Sequence, residues 1–233
     1  MLSNRLQNAF DMYDACALAA DIGTDHGQLP AALLRTGRCR RMILTDISES
    51  ALSHARAEME RCGLTSNVSL RLGDGLLPLR ESCGMISILG MGGRTISEIL
   101  LTGRDRLRNA SLLLSAHTDL PLVRGAVKEI GYHLERETPC FERGRFYLLL
   151  LARPGREDLT ETEMILGKKL LSSDSEALLP YLCHRHQVLE SKLRGLLQAG
   201  KPREDQIDFT RKLLSEEERM ISRLADKRNV SER

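Results

Sequence analysis

Short apolar runs and amphipathic stretches take turns along the chain from about residue 17 to residue 152. The runs end in small or acidic residues, and the stretches between them have helical spacing. CALAADI (16–22) predicts a first strand, and QLPAALLRTG (28–37) the helix after it, closed by Gly37. RMILTDI (41–47) predicts a second strand. SESALSHARAEMERCG (48–63) reads as a helix with Ser48 as its N-cap and Gly63 just past its end. NVSLRLGDG (67–75) alternates apolar and polar residues, as a half-buried strand does. GMISILGMGG (84–93) predicts a fourth strand running into a glycine turn that leaves a backbone opening free of side chains. TISEILLTG (95–103) predicts a helix, ASLLLSA (110–116) a fifth strand and DLPLVRGAVKEIG (119–131) a further helix. YHLERETPC (132–140) and RFYLLLLARPG (145–155) close the region as a hairpin.

Strand alternating with helix, ended by a hairpin, implies an α/β fold with a mostly parallel sheet and helices on both faces. Ligands of such sheets sit at the C-terminal strand ends. The unusual residues fall there: Asp21 to Gly27, Asp46, Asp74, and Gly90 to Gly93. Past Gly155 the strand-like runs stop. Leu178, Leu182, Leu189, Leu193 and Leu196 form one apolar stripe, and Phe209, Leu213, Met220 and Leu224 another. Between them Gly200 predicts a helix stop and Pro202 a restart. The expectation is a sheet domain over 1–155 and an antiparallel helical hairpin, coiled-coil-like, over 156–233.

Composition narrows the partners. Hydrophobic residues make up 42% of the chain but aromatics only 3%, so the core is aliphatic and a base-stacking platform for single strands is disfavoured. The net charge is +2, from 34 basic and 32 acidic residues, and residues 156–233 carry fifteen of each sign. A nucleic acid would need local patches such as Arg38, Arg40 and Arg41, Arg104, Arg106 and Arg108, or Arg143 and Arg145; each also reads as a solvated rim. Six dispersed cysteines show no zinc-type spacing and read as reduced thiols of a cytoplasmic protein. His184 and His186 point apart on a helix, so no metal is expected. The start reads as no signal peptide, and no apolar run reaches membrane-spanning length.

The loop after the first strand carries the chemistry. A dinucleotide fold uses GxGxxG because the pyrophosphate lies close to the backbone and is anionic. Here the loop is Gly23-Thr24-Asp25-His26-Gly27, with Asp25 where the middle glycine would stand. A carboxylate repels a pyrophosphate and attracts a sulfonium or an amino group. S-adenosylmethionine has both cations and no phosphate, so the substitution points away from NAD. Asp46 at the second strand end suits ribose hydroxyls, and Asp74 at the third suits an adenine amino group. Each acid also has a plain structural alternative: Asp21 as a turn cap, Asp46 as an N-cap, Asp74-Gly75 as an ordinary turn. His26 either meets the ligand or pins the loop.

LSNRL near the start, ADIGTDHGQLP, RLGDGL and GMGG, in this order and spacing, closely resemble the bacterial tRNA adenine-N1-methyltransferase family that modifies adenine 22, the TrmK family. The resemblance spans roughly residues 2–152 and, more loosely, the tail. It implies a class I methyltransferase with a Rossmann-like sheet, S-adenosylmethionine as cofactor, tRNA as partner, and a helical domain that helps hold the tRNA. By position it implies a cofactor loop of Asp21, Gly23, Asp25, His26 and Gly27, with Asp46 at the ribose and Asp74 and Gly75 beside the adenine. Gly90, Met91, Gly92 and Gly93 would line the methyl-transfer site, with Asp25 as the carboxylate nearest the chemistry. RGRFY, ending at Tyr147, matches a family segment before the last strand. SAHTD (115–119) departs from the Gln-Pro-Asn-like stretch of the family, and LGKK (166–169) from its Phe-Gly-Pro. Other readings are a methyltransferase acting on another RNA or a small molecule, and a non-catalytic binding protein. A monomer or a weak dimer is expected.

Overall fold

The computed structural model describes the backbone of residues 2–199 and 203–231, with side chains through Ala225. Helix α1 (Asn4–Asp11) leads into β1 (Cys16–Ile22), α2 (Gln28–Arg35), β2 (Cys39–Asp46), α3 (Glu49–Arg61) and β3 (Val68–Leu72). Then come β4 (Met85–Met91), α4 (Gly93–Thr102), the short α5 (Arg104–Leu107), β5 (Ser111–Ala116) and α6 (Leu120–Glu129). Strands β6 (Tyr132–Glu142) and β7 (Arg145–Pro154) precede α7 (Glu161–Leu166), α8 (Leu178–Gln198) and α9 (Glu204–Ser231).

The seven strands form one sheet in the order β3-β2-β1-β4-β5-β7-β6. The first five are parallel; β7 runs antiparallel to β5, and β6 antiparallel to β7. Strand order reverses at β1 and β4, so the cleft where ligands bind opens above their C-terminal ends. Alternate residues of each strand feed two cores. Ala20, Ile22, Ile43, Ile86, Ile88, Leu112 and Leu114 face α4 and α6. Ala19, Met42, Leu44, Met85 and Leu113 face α1, α2 and α3. Burial on both faces is why these strands read as continuous apolar runs.

Helices α1 and α4 differ from the sequence reading, and the short α5 has no counterpart in it. Helix α1 has no counterpart in it, because a helix of two turns gives too few apolar repeats to register. Ser3 caps it, its hydroxyl accepting from the Leu6 amide at 3.4 Å. Helix α4 starts two residues early, inside the expected glycine turn. Gly93 is buried in its first turn, where a Cβ would run into the Thr118 and Asp119 carbonyls.

The tail continues the main core, which takes in Leu170, Leu178, Tyr181 and Leu182. A fully buried ion pair ties it to the sheet: Arg124 Nε donates to Glu137 Oε1 at 2.8 Å. Arg124 Nη1 also donates to the Met164 and Ile165 carbonyls, at 2.8 and 3.1 Å, and Glu137 Oε2 accepts from the Lys169 amide at 2.8 Å. Helices α8 and α9 pair antiparallel, with Leu189 meeting Leu213 and Arg185 Nε bonding Glu217 at 2.8 Å. The expected stop at Gly200 and restart at Pro202 lie outside the described residues. Among those described, no helix is long and apolar enough to cross a membrane.

Candidate functional site

Two cavities flank the reversal of strand order. The first, about 390 Å³, is lined by Asp21, Gly23, Asp25, His26, Gly27 and Asp46, and by Leu89, Gly90 and Met91 at the end of β4. Arg5 of α1 and His117, just past β5, complete it. The second, about 310 Å³, is lined by Ile47, Asp74, Gly75, Thr95 and Ile99. Gly23, Asp46 and Met91 belong to both, so the two form lobes of one cleft. This size suits a nucleoside with a short chain.

Backbone shape places the loop. Gly23 (φ 70°) and Gly27 (φ 62°) turn the chain off β1 and into α2 through the left-handed region. Asp25 also has positive φ (43°), which aspartate tolerates better than most residues. Its side chain stands out from the loop, 66% exposed, with His26 Nε2 3.5 Å away. His26 stacks on His54 of α3, ring centroids 5.4 Å apart. Asp25, His26 and His54 each bring a ligating atom within 4.8 Å of the others, an exposed trio that could hold a divalent metal.

Asp21 differs in kind. It is buried against β4, and Ser87 Oγ donates to its Oδ1 at 2.5 Å. Burial raises its pKa to about 6 against that hydrogen bond, and the neighbouring Asp46 charge adds to the rise. Asp46 gives one oxygen to the Ser48 amide at 2.8 Å, while Ser48 itself caps α3. Asp46 is therefore only partly spent on local structure.

The GMGG segment departs from the expected open turn. Gly90 and Met91 line the cleft; Gly92 and Gly93 line neither lobe. Gly93 is a packing glycine, and Gly92 supplies the extended N-cap of α4. Nor is the opening free of side chains, because Met91 lies over Gly23, where a Cβ would overlap its methyl. Met91 thus marks the boundary between the two lobes.

Sequence reading missed Arg5 as a site residue, although LSNRL contains it. It also missed the stack of Arg5 on Tyr147 (5.1 Å to the ring) and the edge contact of His117 with Tyr147 at 5.7 Å. These residues come from α1, the β5 loop and β7, and no local motif signals that they meet.

A family model described as a methyltransferase domain matches residues 2–150. A Bacillus subtilis tRNA (adenine(22)-N(1))-methyltransferase is 33% identical over 172 residues, 73% of this chain and 72% of that protein. The crystal structure of the B. subtilis m1A22 tRNA methyltransferase TrmK superposes with a TM-score of 0.78 at 26% identity, over 97% of this chain and 98% of that one. The fold is also that of M. capricolum TrmK in complex with S-adenosyl-homocysteine, with a TM-score of 0.80 at 23% identity over 95% and 98% of the two chains.

Proposed function

The chain belongs to the tRNA (adenine(22)-N(1))-methyltransferase family, and from that premise we propose how its cleft methylates N1 of adenine 22 in tRNA with S-adenosylmethionine. The carrying observation is the cleft itself. One lobe gathers carboxylates and an arginine, and the other pairs Asp74 with the apolar Ile47 and Ile99. A zwitterionic amino-acid end fits the first and an adenine ring the second. A pyrophosphate fits neither, because Asp21 and Asp25 line the first lobe, Asp74 the second and Asp46 both.

When bound, S-adenosylmethionine supplies a methyl group already activated on a sulfonium. The chain's residues have to hold and aim. Asp46 keeps one carboxylate oxygen for the ribose hydroxyls. Asp74 accepts from the cofactor's adenine amino group, while Ile47 and Ile99 cover the ring. Gly23 lets the ligand approach β1, and the Met91 side chain must yield where it now lies over that glycine. The target adenine enters beside Gly90 and His117, after leaving its stack in the folded tRNA. Its N1 lone pair lies in the ring plane, so no proton must leave for the new bond to form. Catalysis is then chiefly positioning. Asp25, on the rim, accepts from the exocyclic amino group and opposes the charge that builds on the ring.

The reading is tested with paired tRNA transcripts carrying adenine or guanine at position 22. The adenine transcript should take up labelled methyl groups and the guanine one should not. Equal uptake would mean that another nucleotide is the target.

A further inference from the structure

Six free cysteines are spread along the chain, and the fold brings two of them together. Cys16 opens β1 and Cys39 opens β2, and the parallel register sets the two residues side by side. Both side chains turn to the core that faces α1, α2 and α3. Their Sγ atoms lie 3.5 Å apart. Neighbouring strands run about 4.8 Å apart, inside the roughly 4.4–6.8 Å between Cα atoms that a disulfide spans. A bond between the two sulfurs therefore needs side-chain rotation and no movement of the strands. The pair stands at the strand ends opposite Asp21 and Asp46, and neither cysteine lines a lobe of the cleft.

The two thiols are unequal. Cys16 is half-buried and Cys39 is buried. The hydrogen bond from the Cys39 thiol lowers the Cys16 pKa against the effect of burial, and the Met85 amide adds to the lowering. The same bond, together with burial, raises Cys39. Cys16 is thus the sulfur that both ionises first and meets solvent, and the thiolate is the nucleophilic form. We propose that Cys16 and Cys39 form a reversible disulfide with a hydroperoxide as oxidant, Cys16 attacking and Cys39 resolving. With hydrogen peroxide, the Cys16 thiolate attacks one oxygen, the O–O bond breaks, and the leaving hydroxide takes up a proton as water. Cys39 Sγ then loses its proton and attacks the Cys16 sulfenic sulfur, and the displaced hydroxide carries that proton away as a second water. The thiols give up two hydrogens with their electrons, and the peroxide accepts them. Arg38 favours the Cys39 thiolate that the second step needs. The bond closes β1, α2 and β2 into one ring that includes the loop from Gly23 to Gly27. A thiol reductant reopens it by exchange.

Peptide mapping of the full chain tests this. The native protein is treated with a small excess of hydrogen peroxide, its remaining thiols are blocked under denaturing conditions, and the unreduced digest is read by mass spectrometry. A linked pair of peptides carrying Cys16 and Cys39 should appear, and dithiothreitol before blocking should remove it. Cys183 is the internal control, because it is exposed and would react first if access alone decided. The Cys16–Cys39 link should instead form about tenfold faster than Cys183 is oxidised. Cys39→Ala should leave Cys16 as a sulfenic acid that dimedone traps, and Cys16→Ala should leave Cys39 a thiol. Oxidised Cys183 beside unlinked Cys16 and Cys39 in the wild type overturns the proposal without any variant, so a variant that fails to fold cannot shield it. A link from Cys16 to the buried Cys83 overturns it too. So does a sulfenic acid on Cys39 in Cys16→Ala with none on Cys16 in Cys39→Ala, which would reverse the two roles.

Discussion

Asp21 lies against Ser87 inside the fold, and burial raises its carboxyl from 3.8 to about 6. Between those values the folded chain holds a proton that the unfolded chain has released. Stability from this residue therefore falls as pH rises across that window, and the loss is complete above it. A ligand with an ammonium group favours the ionised form. Affinity for S-adenosylhomocysteine should accordingly rise as pH passes about 6. Calorimetry near that pH, in two buffers of different ionisation enthalpy, should show proton release on binding, and Asp21→Asn should abolish it. No release in the wild type would separate Asp21 from the ligand. Much of the cleft's lining was legible at this scale. Asp21, Asp25, Asp46 and Asp74 fall at strand ends, and the wrong charge for phosphate at Asp25 is visible without coordinates. Arg5, His117 and Tyr147 were not legible as a group, because tertiary packing alone brings them together.

The elements themselves were legible because both faces of the parallel sheet are covered, which makes each strand an apolar run of the right length. Insertion of β7 between β5 and β6 was not, since a hairpin can dock by either strand. The attachment of the tail was also hidden. Arg124 and Glu137 look like surface charges in the sequence, yet both are fully buried, Arg124 bonding carbonyls of α7 and Glu137 the Lys169 amide just after it. Glu137→Ala would leave Arg124 buried without its counter-charge, at a cost of about 3–5 kcal/mol. Replacing both, as Arg124→Met with Glu137→Leu, should cost less than Glu137→Ala alone. Denaturant midpoints of the three variants measure the difference. A Glu137→Ala midpoint equal to the wild type would show that the pair does not anchor the tail.

Over the whole molecule the charge is nearly balanced, so tRNA must be held by local groups rather than by a general field. Arg94, in the first turn of α4, and Arg143 and Arg145, at the β6–β7 turn just before Tyr147, are exposed. Arg143→Glu with Arg145→Glu should weaken tRNA binding about tenfold at low salt and flatten its salt dependence, by roughly one unit of slope for each phosphate no longer neutralised. Binding of S-adenosylhomocysteine should not change. The sequence singles out Arg143 and Arg145 as a candidate patch, but only the fold puts their turn next to Tyr147, whose ring meets Arg5 of the cleft. Methylation of N1 of adenine 22 is decided by mass-spectrometric mapping of a tRNA transcript after incubation with the full chain and S-adenosylmethionine. One added methyl is expected, at N1 of adenine 22; a methyl on another nucleotide, at N6 of adenine 22, or on no nucleotide would contradict the assignment.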